Sequence, residues 1–252
     1  MSPKLRLDRI KNKQVKKKGG KVKLSNINIR THPRFSNVYI SGLPQNPKLY
    51  SKNLIPGNKV YGERLITFKG EEYREWDPFR SKLAAMILEK PSLEFLTKDL
   101  SCLYLGASSG TTISHLSDIV YDGVIYGVEF AERSMRQLIQ NTDKRKNIIP
   151  ILGNANFPES YAKSIFTPID LVYQDIAQPN QAQIAIENCN YYLKNKGFLI
   201  LAIKSQSIDS VEKSEKIYIQ EKKIIEKAGY VIIDSINIHK YAANHIILTV
   251  QK

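Results

Sequence analysis

The feature that most restricts the fold is an alternation of short apolar runs with amphipathic stretches, which occupies the chain from about residue 100 to residue 250. Strand-sized runs fall at 101–105, 124–129, 147–152, 169–174, 197–203, 230–238 and 245–250, and helix-period patterns fall near 111–121, 131–141, 179–194 and 213–228. Strands joined by helices return through crossovers, so this pattern predicts an α/β fold with a doubly wound, mostly parallel seven-stranded sheet. The last two runs depart from it. Lys240 to Asn244 is too short for a crossover helix, so the final strand is expected to run antiparallel in a hairpin.

Upstream the pattern is different. Between about residues 26 and 75 the sequence is β-leaning and rich in turn residues, with Asn37-Val38-Tyr39-Ile40, Gly42-Leu43-Pro44-Gln45-Asn46-Pro47 and Leu65-Ile66-Thr67-Phe68, which predicts a small β-rich N-terminal domain over 26–75. Asp77-Pro78 reads as a helix N-cap with proline at the first helical position, followed by Phe79, Leu83, Met86 and Ile87 at helical spacing, so a second domain is expected over 76–252. Residues 1–25 hold ten Lys or Arg and one Asp, and so carry +9 of the formal +14. Their apolar content is too low to offset the entropy of ordering, which predicts a flexible basic arm. A surplus of this size points to a polyanionic partner, with nucleic acid first, through nonspecific attraction to phosphates; a merely solubilising extension is the alternative.

Several classes are excluded or disfavoured. No apolar run approaches the roughly 18–20 residues that span a bilayer, and the lysine-rich N-terminus lacks the apolar segment of a secretory signal. Two cysteines, Cys102 in a strand pattern and Cys189 in a helical one, supply neither a disulfide framework nor metal-ligand spacing; both read as small buried hydrophobes in a reducing, cytoplasmic compartment.

The chemistry-bearing residues sit where predicted strands end. Gly106-Ala107-Ser108-Ser109-Gly110-Thr111-Thr112 joins the first strand of the alternation to a helix, where glycines let a ligand approach the backbone and free N–H groups favour a carboxylate or phosphate. The dinucleotide pattern G-x-G-x-x-G is absent, which argues against a nicotinamide oxidoreductase. Glu129-Phe130 ends the second strand, about twenty residues on, where an acid accepts ribose hydroxyls. Gly153-Asn154-Ala155-Asn156 follows the third and offers an amide to an adenine edge. Asp175 ends the fourth strand and Lys204 the fifth; in an open α/β sheet these ends face one crevice, so an acid and a lysine would converge there. Lys82 lies on the helix before the first strand, and His245 opens the last.

Longer stretches carry a resemblance. Val60-Tyr61-Gly62-Glu63-Arg64-Leu65, the run from Glu72 to Ala85 containing Trp76-Asp77-Pro78-Phe79-Arg80, Leu103 to Thr112, Gln174-Asp175-Ile176-Ala177-Gln178-Pro179-Asn180-Gln181 and Ala202-Ile203-Lys204 resemble the archaeal fibrillarins, RNA 2′-O-methyltransferases, over about residues 40–250. The resemblance implies a class I S-adenosylmethionine methyltransferase fold behind the small β domain. It also implies that Gly106, Ala107 and Gly110 help bind S-adenosylmethionine, with Thr111 and Thr112 against its amino-acid end, Glu129 and Phe130 at its ribose and adenine, Asn154 and Ala155 at the adenine edge, and Asp175, Ile176, Ala177 and Gln178 along its floor. Lys82, Asp175, Lys204 and His245 would form the catalytic set. Two positions depart from the family: Asn154 and Asn244 stand where it usually has Asp, and asparagine keeps an acceptor but loses the charge.

The implied function is methylation of ribose 2′-hydroxyls in pre-rRNA and tRNA within a box C/D guide ribonucleoprotein, with a guide RNA, its target RNA, a Nop-type scaffold protein and a kink-turn-binding ribosomal-type protein as partners. A hydroxyl is a poor nucleophile, so Lys204 would stabilise its developing charge while Asp175 orients a lysine or takes the proton. No metal is implied. The rival readings are a non-catalytic RNA-binding subunit, which the presence of Asp175 and Lys204 disfavours, and a protein glutamine methyltransferase.

Overall fold

The computed structural model describes residues 27–252, so the basic arm expected at 1–25 lies outside the described residues. Two sheets form. β1 (Arg30–Thr31), β2 (Val38–Ser41), β3 (Lys48–Lys52), β4 (Leu65–Phe68) and β5 (Glu71–Trp76) make an antiparallel sheet ordered β1-β2-β3-β5-β4. The second sheet holds β6 (Ser101–Leu105), β7 (Val124–Glu129), β8 (Ile148–Leu152), β9 (Ile169–Gln174), β10 (Leu193–Lys204), β11 (Val231–Asn237) and β12 (His245–Gln251), ordered β11-β12-β10-β9-β6-β7-β8. Only β12 runs against the rest. It inserts between β10 and β11 and pairs antiparallel with both, so the expected hairpin is present.

The described residues also form six α-helices, α1 (Lys82–Leu88), α2 (Thr111–Ile119), α3 (Glu132–Thr142), α4 (Gln181–Tyr192), α5 (Ser205–Ile208) and α6 (Ser214–Lys227), with a 3-10 segment at Pro158–Ser164. The larger sheet is covered on both faces, which is why its strands read as continuous apolar runs. Strand alternation splits the side chains into two cores. Cys102, Tyr104, Ile200 and Ala202 join α1, α2 and α3 on one face, while Leu103, Leu105, Leu199 and Leu201 join α4 and Ile225 of α6 on the other.

The expected helix at Asp77-Pro78 begins later. The Asp77 carboxylate accepts the Phe79 N–H at 2.9 Å and its carbonyl accepts the Arg80 N–H at 3.1 Å, closing a turn in place of a helix start. Ser81 is the N-cap, with its Oγ accepting the Ala84 N–H at 3.3 Å. β10 also begins four residues before its predicted start, at Leu193, across an irregular register between Leu193 and Phe198.

A buried polar network locks the smaller sheet onto α2. Arg74, fully buried on β5, donates to Glu63 at 2.6 Å, to Asp118 at 2.7 Å and to Ser114 at 2.9 Å, and Arg145 donates to Asp118 at 2.6 Å. Burial alone would raise the pKa of Glu63, but Arg74 and the N–H groups of Tyr61 and Val60 outweigh it and hold the carboxyl low. His115 is buried in the same network and stacks on Trp76 with ring centroids 4.9 Å apart. Ser51 Oγ donates to Asp118, so at 2.7 Å it accepts from His115 Nδ1–H, leaving Nε2 to face the Tyr61 hydroxyl at 2.6 Å. Burial first, then the charges of Arg74 and Arg145, push the His115 pKa well below its ordinary value.

Candidate functional site

Strand order sets the location of the site. From β6 the chain builds outward to β7 and β8, then crosses back to β9 beside β6, so the connections diverge between β6 and β9 and leave a crevice at the carboxyl ends of these strands. Gly106 leaves β6 at φ +86°, Ser108 takes φ +50° and Gly110 φ +103° before α2 begins. No side chain caps α2, so its first-turn N–H groups remain open to a ligand.

A cavity of about 240 Å³ lies in this crevice. Of the residues expected to hold the cofactor, Gly106, Glu129, Phe130, Asn154, Ala155, Asp175, Ile176, Ala177 and Gln178 line it. Ala107, Gly110, Thr111 and Thr112 lie outside this lining. Ala107 is buried, Gly110 turns toward Leu138 and Thr142 of α3, and the buried Thr112 gives its hydroxyl hydrogen to Ser81 Oγ at 3.0 Å. Thr112 therefore ties α2 to the cap of α1. Thr111 holds the first position of α2.

Glu129 is buried at the end of β7, its Oε2 accepting the Ser108 N–H and its Oε1 the Ala131 N–H, each at 2.9 Å. These donors orient the carboxylate, and each oxygen retains a lone pair for a ligand hydroxyl. Asn154 Oδ1 accepts the Asn156 N–H and side-chain amide at 3.0 Å each, which closes the loop and leaves the Asn154 NH₂ without a partner among the described residues. A ligand with an amino-acid end, a ribose and a purine fits this set: an uncapped helix start next to the cavity, an oriented carboxylate and an amide edge, over a floor where the Asp175 backbone packs against the bare position 106.

The four charged or basic candidates converge beside the cavity from four elements. Lys82 Nζ, at the start of α1, donates to both oxygens of Asp175 at 2.8 and 2.9 Å. Lys204 ends β10 and is the register partner of His245, which begins β12. His245 Nδ1–H donates to the Ala243 carbonyl at 2.7 Å, so Nε2 carries the free lone pair. Burial lowers its pKa below the ordinary histidine value; the bond to Ala243 and the charge of Asp175 act upward, Lys82 and Lys204 downward. His245 is neutral at pH 7.

Ser108, Gly153 and Asn156, which the two loop motifs contained without individual roles, also line the cavity, and so does Val128, which sequence reasoning missed along with a clamp on Lys204. Gln181 grips Lys204 from both sides, accepting its N–H on Oε1 at 2.9 Å and donating from Nε2 to its carbonyl at 3.1 Å. Gln174 donates to the Gln181 carbonyl at 2.7 Å and so joins this clamp to β9. A glutamine at each end of the segment 174–181 was the available signal, but two amides spaced by loop residues reveal no contact without the fold.

The chain is similar to several known proteins. The family model described as Fibrillarin matches residues 29–252. A fibrillarin-like rRNA/tRNA 2′-O-methyltransferase of Methanosarcina acetivorans is 49% identical over 188 residues, covering 73% of this chain and 82% of the relative. Among solved structures, Aeropyrum pernix fibrillarin with natively bound S-adenosyl-L-methionine superposes with a TM-score of 0.82 at 40% identity, covering 89% of this chain and 99% of that one. A fibrillarin/Nop5p complex superposes with a TM-score of 0.72 at 40% identity, covering 81% and 93%.

Proposed function

The chain belongs to the fibrillarin family, and from that premise we propose that it transfers a methyl group from S-adenosylmethionine to ribose 2′-hydroxyls of ribosomal and transfer RNA. The observation that carries the chemistry is the ion pair of Lys82 with Asp175, whose carboxylate also borders the cofactor cavity. When bound, S-adenosylmethionine supplies an electrophilic methyl carbon attached to sulfur. The residues of the chain act on the other reactant. Lys82 pins the Asp175 carboxylate in place, and Asp175 takes the 2′-hydroxyl proton as the oxygen–carbon bond forms and the carbon–sulfur bond breaks. Lys204, its backbone clamped by Gln181, lends positive charge to the developing alkoxide. His245, its Nδ1–H held by the Ala243 carbonyl, adds no positive charge and, with Lys82, shapes the field around the hydroxyl.

The reading extends to an assembly. The relative solved with Nop5p supports a Nop-type scaffold as partner. We add a box C/D guide RNA that selects the target by base pairing and a kink-turn-binding protein of ribosomal type, working in the cytoplasm where nascent ribosomal and transfer RNA are found.

The test is incubation with labelled S-adenosylmethionine and a guide–target RNA pair, with and without the scaffold and kink-turn proteins. Label is expected on one target 2′-oxygen, and its position should move when the guide sequence moves. Label on protein side chains and none on RNA would reject the assignment.

A further inference from the structure

The segments leading into α1 and β12, which bring Lys82 and His245 to the catalytic cluster, also carry aromatic rings beside cations, Phe79 exposed and Tyr241 half-buried. Phe79 lies three residues before Lys82 and is 67% exposed; Tyr241 lies four residues before His245. Their rings meet edge to face with centroids 5.3 Å apart. The Arg80 guanidinium sits over the Tyr61 ring at 4.9 Å and the Lys240 ammonium over the Tyr241 ring at 5.0 Å. Exposure of a phenylalanine alone means little, since Phe166 is 76% exposed. Phe79 differs in having an aromatic support, cations next to it and Lys82 close along the chain. It is also held in place, because Asp77 accepts the N–H groups of both Phe79 and Arg80 in the turn that replaces a helix start.

The charge around it selects a partner. Phe79 and Arg80 line a groove of about 580 Å³ together with Pro47, Lys48, Tyr61 and Arg64. Its carboxylates are engaged: Glu75 with Lys48 at 2.7 Å, Glu63 with Arg74, and Asp77 in the turn. Arg64 and Arg80 face the same groove and make no ion pair among the described residues. An exposed ring flanked by unpaired cations matches a nucleic-acid strand, which offers base or ribose faces to the ring and phosphates to the cations. Lys82, three residues after Phe79, holds the Asp175 carboxylate, so a strand packed on this rim lies beside the acceptor position.

We propose that Phe79 and Tyr241, with Arg80 and Lys240, form a docking rim for the RNA strand that carries the acceptor ribose, the rings packing on the neighbouring nucleotide and the cations holding its phosphates. This rests on the methyl-transfer reading above. Phe79, Arg80, Tyr241 and Lys240 are positioning residues and touch no reacting atom.

The test compares wild type, Phe79→Ala, the double variant Arg80→Gln/Lys240→Gln and the control Phe166→Ala in the assembled complex. RNA affinity is read by filter binding over a salt series, and RNA KM by methyl transfer. Phe79→Ala should raise the RNA Kd and KM at least about fivefold, within the range that losing one stacked base produces, with S-adenosylmethionine affinity and scaffold binding retained. The double variant should reduce the salt slope by about two counterions, and Phe166→Ala should match wild type. RNA affinity unchanged in Phe79→Ala overturns the proposal, and so does a loss confined to scaffold binding, which would make the rim a protein contact. A wild type that binds RNA but transfers no methyl rejects the parent reading instead, while the filter-binding comparison still decides the rim.

Discussion

Replacing Gly106 by alanine should disable the enzyme through two separable effects. The first is backbone strain: position 106 sits at φ +86°, where an L-residue costs about 1–2 kcal/mol. The second is steric. A Cβ here would lie 2.9 Å from Ile176 Cγ2, 3.0 Å from the Asp175 carbonyl carbon and closer still to its oxygen. Backbone cannot rotate away as a side-chain tip can, so the end of β9 must recede by roughly 1 Å, a displacement that costs on the order of 100-fold when it separates reacting groups. Total destabilisation should be about 2–4 kcal/mol, with methyl transfer lost well beyond what partial unfolding explains. Gly229→Ala is the control, because Gly229 has φ +84° with nothing within 4 Å of its Cβ position. It should cost only the strain, about 1 kcal/mol, and leave cofactor binding intact. Urea unfolding, calorimetry with S-adenosylmethionine and single-turnover methylation separate the effects. A folded Gly106→Ala protein that methylates within about threefold of wild type would refute the reasoning, since Asp175 would then not depend on a bare position 106.

Asp175→Ala and Lys204→Ala should each lower single-turnover methylation by at least about 10³ while the fold persists; calorimetry should find cofactor affinity better preserved in Lys204→Ala, because Asp175 borders the cavity, and near-normal turnover in either would reject the mechanism. Glu129→Ala should weaken S-adenosylmethionine binding by on the order of 1–3 kcal/mol, both by removing the ribose acceptor and by releasing the Ser108 and Ala131 N–H groups, and an unchanged calorimetric Kd would exclude Glu129 from the site. Stability should fall as pH drops below about 6.5, because His115 stays neutral in the fold while the unfolded chain takes up the proton, a linkage of up to about 1.4 kcal/mol per pH unit. Urea midpoints that stay level from pH 7.5 to 5.5 would contradict that burial.

The seven strands of the larger sheet and its four longer helices were legible in sequence because each buries one face or both, and burial writes itself as apolar period. The smaller sheet was only half legible: β3 and β5 carry Lys48, Lys52 and Glu71 at their exposed positions, and Arg74 is buried by Glu63 and Asp118, residues that no local pattern connects to it. Asp77-Pro78 imitated a helix start because a cap and a turn use the same carboxylate-to-backbone bond; the apolar face that decides between them begins only at Leu83. At the site, residue types at strand ends identified Gly106, Glu129, Asp175, Lys204 and His245, since in a sheet of this kind the strand ends share one crevice. Chain order could not show that Lys82, 93 positions before Asp175, would reach its carboxylate, or that Gln181 would clamp Lys204. The sequence by itself determined which groups are available and which strand ends carry them. Their pairing was decided by the tertiary structure, because ion pairs and clamps between distant segments depend on how strands are ordered in space, and local periodicity carries no trace of that order.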